Sequence, residues 1–149
     1  MTKISTKNGF AIIDKEAGWT SHDVVARARK ILDTRKVGHS GTLDPPATGV
    51  LILGVGKATR LLRFITDLQK EYVATMIMGS ETDTLDAEGE ITKTTTTYPS
   101  LSDLQESARS FIGDIQQIPP MVSAIKVEGK RLYELAREGK QIDREPRNI

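Results

Sequence analysis

The 149 residues contain no cysteine. That absence excludes a disulfide scaffold and any metal or cluster held by thiolates. Histidine occurs only twice, so a zinc site would have to take most of its ligands from carboxylates, an uncommon donor set. No apolar run approaches the roughly 20 residues that span a bilayer. The start, Met1-Thr2-Lys3-Ile4-Ser5, lacks the apolar stretch of a secretory signal. A cytoplasmic protein without membrane contact is therefore expected. What is present is ordinary for a globular chain, at 38% hydrophobic and 28% charged residues. The length is that of one domain, and a chain of this size buries about 68–70% of its unfolded surface, enough for a core.

The formal net charge of +1 conceals a segregation. Residues 1–70 hold 12 Lys and Arg against 6 Asp and Glu, residues 71–125 hold 2 against 9, and residues 126–149 hold 7 against 5. Such asymmetry is expected of a chain that turns a basic face to a polyanion. Cations spread over solvated helix faces would account for it equally well.

Gly9-Phe10-Ala11-Ile12-Ile13 reads as a short buried strand, ended by a turn over 14–18. Ser21 is a suitable N-cap for a helix carrying Val24, Val25, Ala28, Ile31 and Leu32 on one face, with Arg27, Arg29 and Lys30 opposite. Val37 ends a brief strand. Residues 39–49 are too rich in Gly and Pro for regular structure, and the continuous apolar run 50–55 has the pattern of a fully buried strand. A helix over 57–68 should turn Leu61, Leu62 and Ile65 inward and leave Arg60 and Arg63 outside. A second apolar run, 72–78, predicts another central strand. Residues 80–89 look like a hairpin or bulged connection, and 91–97 a polar edge strand. Ser100 or Ser102 opens a helix with Leu101, Leu104, Ala108, Phe111 and Ile112 on its core side, closed by Gly113. Then come a strand over 121–127, a turn at Glu128-Gly129 and a short helix over 130–138 capped by Gly139. Strands and helices intermix without strict alternation, so an α+β fold is expected, a mixed and largely antiparallel sheet flanked by helices. The polar stretch 140–149 carries no cap or closing strand and reads either as an interrupted chain or as a frayed natural tail.

Asp44 is the sharpest chemical candidate. It lies in a tight Gly41-Thr42-Leu43-Asp44-Pro45-Pro46 loop between two apolar segments. Pro45 restricts Asp44 to extended backbone angles and so presents the carboxylate in a fixed direction. A carboxylate held this way serves as nucleophile or base. Taken by itself, an aspartate satisfied by its own backbone in an Asx turn is the commoner outcome. His39 shares the loop, so a triad with Ser21 or Ser40 is conceivable, but no nucleophile-elbow pattern surrounds either serine. A metal site from His22, Asp23, His39 and Asp44 is equally weak. Tyr72, behind Lys70 and Glu71, is placed to stack on a nucleobase, although core packing is the commoner fate of such a ring.

Taken together these segments resemble the bacterial tRNA pseudouridine synthases of the TruB type. Asp14-Lys15-Glu16-Ala17-Gly18-Trp19-Thr20-Ser21-His22-Asp23-Val24-Val25 is similar to that family's first motif, and the stretch from Gly38 through His39-Ser40-Gly41-Thr42-Leu43-Asp44-Pro45-Pro46 to Leu51 to its catalytic loop. Lys70-Glu71-Tyr72, Thr82-Asp83-Thr84-Leu85-Asp86-Ala87-Glu88-Gly89, and Pro119-Pro120-Met121-Val122-Ser123-Ala124-Ile125-Lys126 with Leu132-Tyr133-Glu134-Leu135-Ala136-Arg137-Glu138-Gly139 resemble the next blocks, in order. Glu16, Ser40 and Val122 depart from the family's usual Pro, Thr and Tyr.

The resemblance implies the pseudouridine synthase fold, with residues 1–149 as the N-terminal portion of its catalytic domain. It implies isomerisation of uridine 55 in the T-arm of tRNA to pseudouridine by a monomeric enzyme without a cofactor or metal. Asp44 matches the nucleophile, Tyr72 the residue that stacks on the flipped base, and His39 one that contacts the RNA beside it. Lys15, Arg27, Arg29, Lys30, Arg60, Arg63 and Lys126 are the cations expected to meet the RNA backbone. The family continues into a block whose arginine pairs with the catalytic aspartate, and no such block occurs in these residues. A non-catalytic RNA-binding or RNA-folding module on the same scaffold is the alternative, and a metal-dependent hydrolase built on His22, His39 and Asp44 a second.

Overall fold

The computed structural model describes residues 7–123, 125–127 and 129–149. The expectation about the first five residues, and those for Ala124 and Glu128, lie outside the described residues. The chain divides into two compact units, Met1–Val73 and Ala74–Ile149.

In the first unit, β1 (Gly9–Lys15) leads into α1 (Ser21–Leu32), then β2 (Val37–His39) and β3 (Gly49–Val55). β3 is the middle strand, antiparallel to both neighbours, with Gly9 opposite Val55, Lys15 opposite Gly49, and His39 opposite Leu53. The period-2 alternation of side chains puts Ala11, Ile13, Leu51, Leu53, Val55 and Val37 on one face. There they meet Val24, Val25, Ala28 and Leu32 of α1, together with Leu43 from the loop. Each aliphatic side chain buried in that layer contributes about 1.5–3 kcal/mol.

The opposite face explains two departures from expectation. The 50–55 run is not buried on both sides, because Val50 is 69% exposed and Ile12 of the adjacent strand 73%. An antiparallel sheet needs only one covered face. Ile31 also lies outside the core at 66% exposure, at the open edge of the α1 face that carries Val24 and Ala28. The expected 57–68 helix is a 3-10 turn, Gly56–Leu61, followed by a short α2, Leu62–Thr66. Leu62 is buried and Leu61 exposed. Leu62 packs over the glycines of the sheet: a Cβ added to Gly54 would lie 2.9 Å from Leu62 Cγ and 3.1 Å from the Ala58 carbonyl.

α1 is capped by Thr20, not Ser21. The Thr20 hydroxyl accepts from the Asp23 amide while the Asp23 carboxylate accepts from the Thr20 amide, a reciprocal capping box. Asp33 closes the helix in the left-handed region at φ 50°, a conformation Asp tolerates better than most residues.

The second unit holds two-stranded ladders. β4 (Ser80–Thr82) pairs with β5 (Ile91–Thr94) through a bulge at Glu81/Thr82. α3 (Leu101–Arg109) is capped by Ser100 and Asp103. β6 (Gln116–Gln117) pairs with β9 (Arg147–Asn148), and β7 (Lys126–Val127) with β8 (Lys130–Arg131), which precedes α4 (Leu132–Arg137). Leu132 and Leu135 are its buried leucines. The polar tail thus does supply a short closing strand.

Several expectations fail here for want of partners. Residues 72–78 form no strand, and Val73 and Met76 are 98% and 78% exposed. An apolar run becomes a strand only where another edge accepts its hydrogen bonds. α3 ends at Arg109, with Leu101 exposed and Leu104 half-buried, and Phe111 and Ile112 beyond its end are exposed. Only Lys126–Val127 of the 121–127 run is a strand, and the helix over 130–138 begins two residues late because Lys130–Arg131 are paired in β8. Every described strand pair is antiparallel, and with the helices the chain is of the α+β class.

Candidate active site

The loop between β2 and β3, residues 40–48, is irregular yet held at most of its positions. At its start the Ser40 amide donates to the Ile52 carbonyl at 3.0 Å, and the Thr66 hydroxyl donates to the Ser40 carbonyl at 2.7 Å. His39 Nδ1 lies 2.7 Å from the Gly41 carbonyl. A carbonyl can only accept, so that nitrogen carries the proton and Nε2 is left as the acceptor of the neutral ring. The His39 ring stands edge to face with His22, centroids 5.2 Å apart.

Ser21 fastens the middle of the loop. It is buried at 1% exposure; its hydroxyl donates to the Leu43 carbonyl at 3.2 Å and accepts from the Leu43 amide at 2.9 Å. Leu43 itself packs on the core. Two residues on, the Pro45 carbonyl accepts from the Gly18 amide at 2.7 Å and from Lys15 Nζ at 3.3 Å. Lys15 is also 1% exposed, and its ammonium donates to the carbonyls of Glu16 at 3.1 Å and Trp19 at 2.7 Å. An ammonium has three protons and no acceptor, so three carbonyls satisfy it fully. Burying a charge this deeply is tolerable only with such partners.

Asp44 therefore sits between two anchored neighbours. Its own carbonyl accepts from the Ala47 amide at 3.0 Å, closing a turn through Pro45 and Pro46. Its side chain is exposed, and among the described residues its carboxylate makes no hydrogen bond or ion pair. The Asx-turn alternative is thus not what the loop adopts. A fixed backbone carrying an uncommitted carboxylate is the arrangement a nucleophile or general base requires.

The remaining candidates fall in different places. Lys15 does not stand among the exposed cations, because its charge is spent on the loop interior. Ser21 is excluded as a nucleophile for the same reason. Arg27 and Lys30 are exposed on α1, and Arg29 reaches the Val37 carbonyl at 3.0 Å. Arg60 is exposed on the 3-10 turn, and the Arg63 guanidinium lies 4.7 Å from the centre of the Phe64 ring. Tyr72 is 67% exposed beyond α2, and Lys126 belongs to β7 in the other unit. Asp23 is committed to Thr20, whose hydroxyl and amide hold its carboxyl below the usual 3.8. Among the described residues no three His, Asp or Glu gather as a metal site, and no helix is long and apolar enough to cross a membrane.

Two structural roles could have been read from spacing. Lys15 continues the Gly9, Ala11, Ile13 alternation and so must point inward with them. Thr20 and Asp23 stand three apart, the capping-box spacing, which frees Ser21 for another task.

Residues 29–149 match the TruB family pseudouridylate synthase N-terminal domain. A tRNA pseudouridine synthase B from Trichormus variabilis is 54% identical over 142 residues, covering 95% of this chain and 48% of that protein. The one from Oenococcus oeni is 48% identical over 144 residues, again 95% and 48%. The chain thus spans about half the length of these curated relatives. Among solved structures, one described as a Cbf5-Nop10-Gar1 complex contains a chain similar over 79% of these residues and 31% of its own, at 29% identity and a TM-score of 0.54.

Proposed function

This chain belongs to the TruB family of pseudouridylate synthases, and from that premise we propose that the protein isomerises uridine 55 in the T-arm of tRNA to pseudouridine, with Asp44 as nucleophile. The observation that carries the reading is the Asp44 carboxylate, exposed and uncommitted on a backbone fixed from both sides by Ser21 and Lys15. Residues 1–149 are then the N-terminal portion of a catalytic domain. The enzyme works as a cytoplasmic monomer on tRNA, with neither cofactor nor metal.

The reaction breaks the bond from the ribose carbon 1′ to uracil nitrogen 1. It then forms one from the same carbon to carbon 5, which gives up its proton while nitrogen 1 gains one. A stacked base cannot present those atoms, so the nucleotide must first be flipped out, at a cost of a few kcal/mol. One base–aromatic stack is worth about 1–3 kcal/mol, and Tyr72, exposed and close in sequence to α2, is proposed to supply it. His39, anchored through Nδ1, offers Nε2 to the RNA beside the flipped nucleotide. The family's arginine partner for the aspartate falls outside these residues, and a charge-assisted pair with it would hold the Asp44 carboxylate ionised and oriented.

Release of tritium from carbon 5 of uridine-labelled tRNA tests this directly. Release that vanishes in Asp44→Asn while tRNA binding persists is the expected result. Binding without release in the unaltered protein would favour the non-catalytic RNA-binding module, and a hydrolytic activity abolished by a chelator would favour the metal-dependent hydrolase.

A further inference from the structure

Trp19, the only tryptophan of the chain, lies where two depressions of the first unit meet. One, about 250 Å³, is largely apolar, with Ile13, Val24, Ala28 and Ile31 in its wall. The other, about 440 Å³, is lined by Gly18, Trp19, Asp23, Ala26, Arg27 and Lys30. Trp19 as a residue is 41% exposed. It is also well anchored: the Trp19 carbonyl accepts from Lys15 Nζ at 2.7 Å, and the preceding Gly18 amide donates to the Pro45 carbonyl at 2.7 Å. The Gly18 amide, and Lys15 Nζ at 3.3 Å, both donate to the Pro45 carbonyl and so tie the Trp19 segment to the residue that follows Asp44.

We infer that the larger depression is a second nucleotide-binding subsite, in which an unpaired nucleotide of the RNA stacks its base on Trp19 and sets its phosphate against Arg27 and Lys30. This subsite rests on the RNA-modifying reading above, and extends it by naming where a nucleotide other than the reacting one is held. An exposed aromatic beside flexible cations is the chemistry that holds single-stranded nucleic acid, since every base has a face to stack and every nucleotide carries a phosphate. Positions 23, 27 and 30 fall on one side of a helix, and Asp23 and Lys30 stand seven residues apart, roughly 10 Å along its axis. Asp23 is committed to the Thr20 cap and remains charged. It therefore repels phosphate at the Trp19 end and directs it to the Arg27 and Lys30 end, which gives the bound nucleotide a polarity. The alternative is that Trp19 merely roofs the apolar depression beside it, where an apolar protein segment would seat.

The test follows Trp19 emission while a 5′-labelled unmodified tRNA transcript is added, with the anisotropy of the label reporting binding independently. Emission should change in step with binding. Trp19→Ala should weaken binding by roughly 5-fold or more, the lower bound of one base stack, and Trp19→Phe should restore most of it. Arg27→Gln with Lys30→Gln should flatten the dependence of log affinity on log salt by about 1 to 2. Binding with unchanged emission, or with full affinity in Trp19→Ala, overturns the subsite and leaves the synthase reading standing. An emission change that survives Arg27→Gln with Lys30→Gln at an unaltered salt slope assigns it to the apolar depression and overturns the subsite equally. Absence of tRNA binding overturns it too, and tritium release from the same preparation then decides the synthase reading separately.

Discussion

Ser21 and Leu43, 22 positions apart, satisfy each other in both directions: one hydroxyl takes the Leu43 amide proton and gives its own to the Leu43 carbonyl. The residue after Leu43 is Asp44, so a buried serine on α1 sets the position of a carboxylate it does not touch. Ser21→Ala removes both partners from a half-buried backbone unit, and each unsatisfied group costs about 1–3 kcal/mol. The expected outcome is a lower unfolding midpoint in urea, by the same order, together with a fall in the rate of tritium release at saturating tRNA. An unchanged midpoint would show that water replaces the hydroxyl.

Asp44→Asn should behave in the opposite way. The carboxylate makes no hydrogen bond or ion pair among the described residues, and the side chain is exposed, so its amide counterpart disturbs no packing. Stability should stay within about 0.5 kcal/mol while isomerisation is lost. A thermal or urea midpoint that shifts as far as that of Ser21→Ala would mean that Asp44 holds the loop together itself and is a structural aspartate.

How far the sequence carries is visible in these two residues. Asp44 was legible because Pro45 constrains its backbone and the Gly- and Pro-rich loop excludes regular structure. The first unit was largely legible too, since β1, α1 and β3 each bury one periodic face against the others. Ser21 departs from its expected role because Ser and Thr are both good caps, and only the three-residue spacing from Thr20 to Asp23 separates them. Residues 72–78 depart from expectation for another reason. Periodicity reports what a segment would bury, whereas a strand also needs an edge to receive its hydrogen bonds, and that edge is not encoded locally. α3 is a similar case, legible as a helix although Leu101 of its apolar stripe is exposed.

The cap at the start of α1 makes a pH prediction. Hydrogen bonds from the Thr20 hydroxyl and amide hold the Asp23 carboxyl below its ordinary value of 3.8, and Ser100 does the same for Asp103 at the start of α3. A depressed folded-state pKa stabilises fully above the unfolded value and is lost as pH falls through the folded one. The wild-type chain should therefore keep this contribution at pH 5 and lose it progressively below about 3.8. Asp23→Asn should be less stable than the wild type at pH 5, and the gap should close in the acid limb. A gap that is constant with pH would show that the cap works through its geometry, not its charge.

The sharpest division lies between Lys15 at the end of β1 and Arg27 on α1, two cations of the first unit with opposite duties. Lys15 is buried and gives all three ammonium protons to carbonyls of Glu16, Trp19 and Pro45, whereas Arg27 is exposed on α1. Lys15→Met keeps the apolar stem and strands three carbonyls, at about 1–3 kcal/mol for each group left unpaired. It should lower the unfolding midpoint and slow isomerisation. It should not change how steeply tRNA affinity falls with salt, because no phosphate counterion is exchanged at a buried ammonium. Arg27→Gln should do the reverse, leaving the unfolding midpoint within about 0.5 kcal/mol and lessening the salt slope by about 1. Affinity measured across a salt series on the two variants separates the duties, and equal slopes would place both side chains on the same face of the RNA.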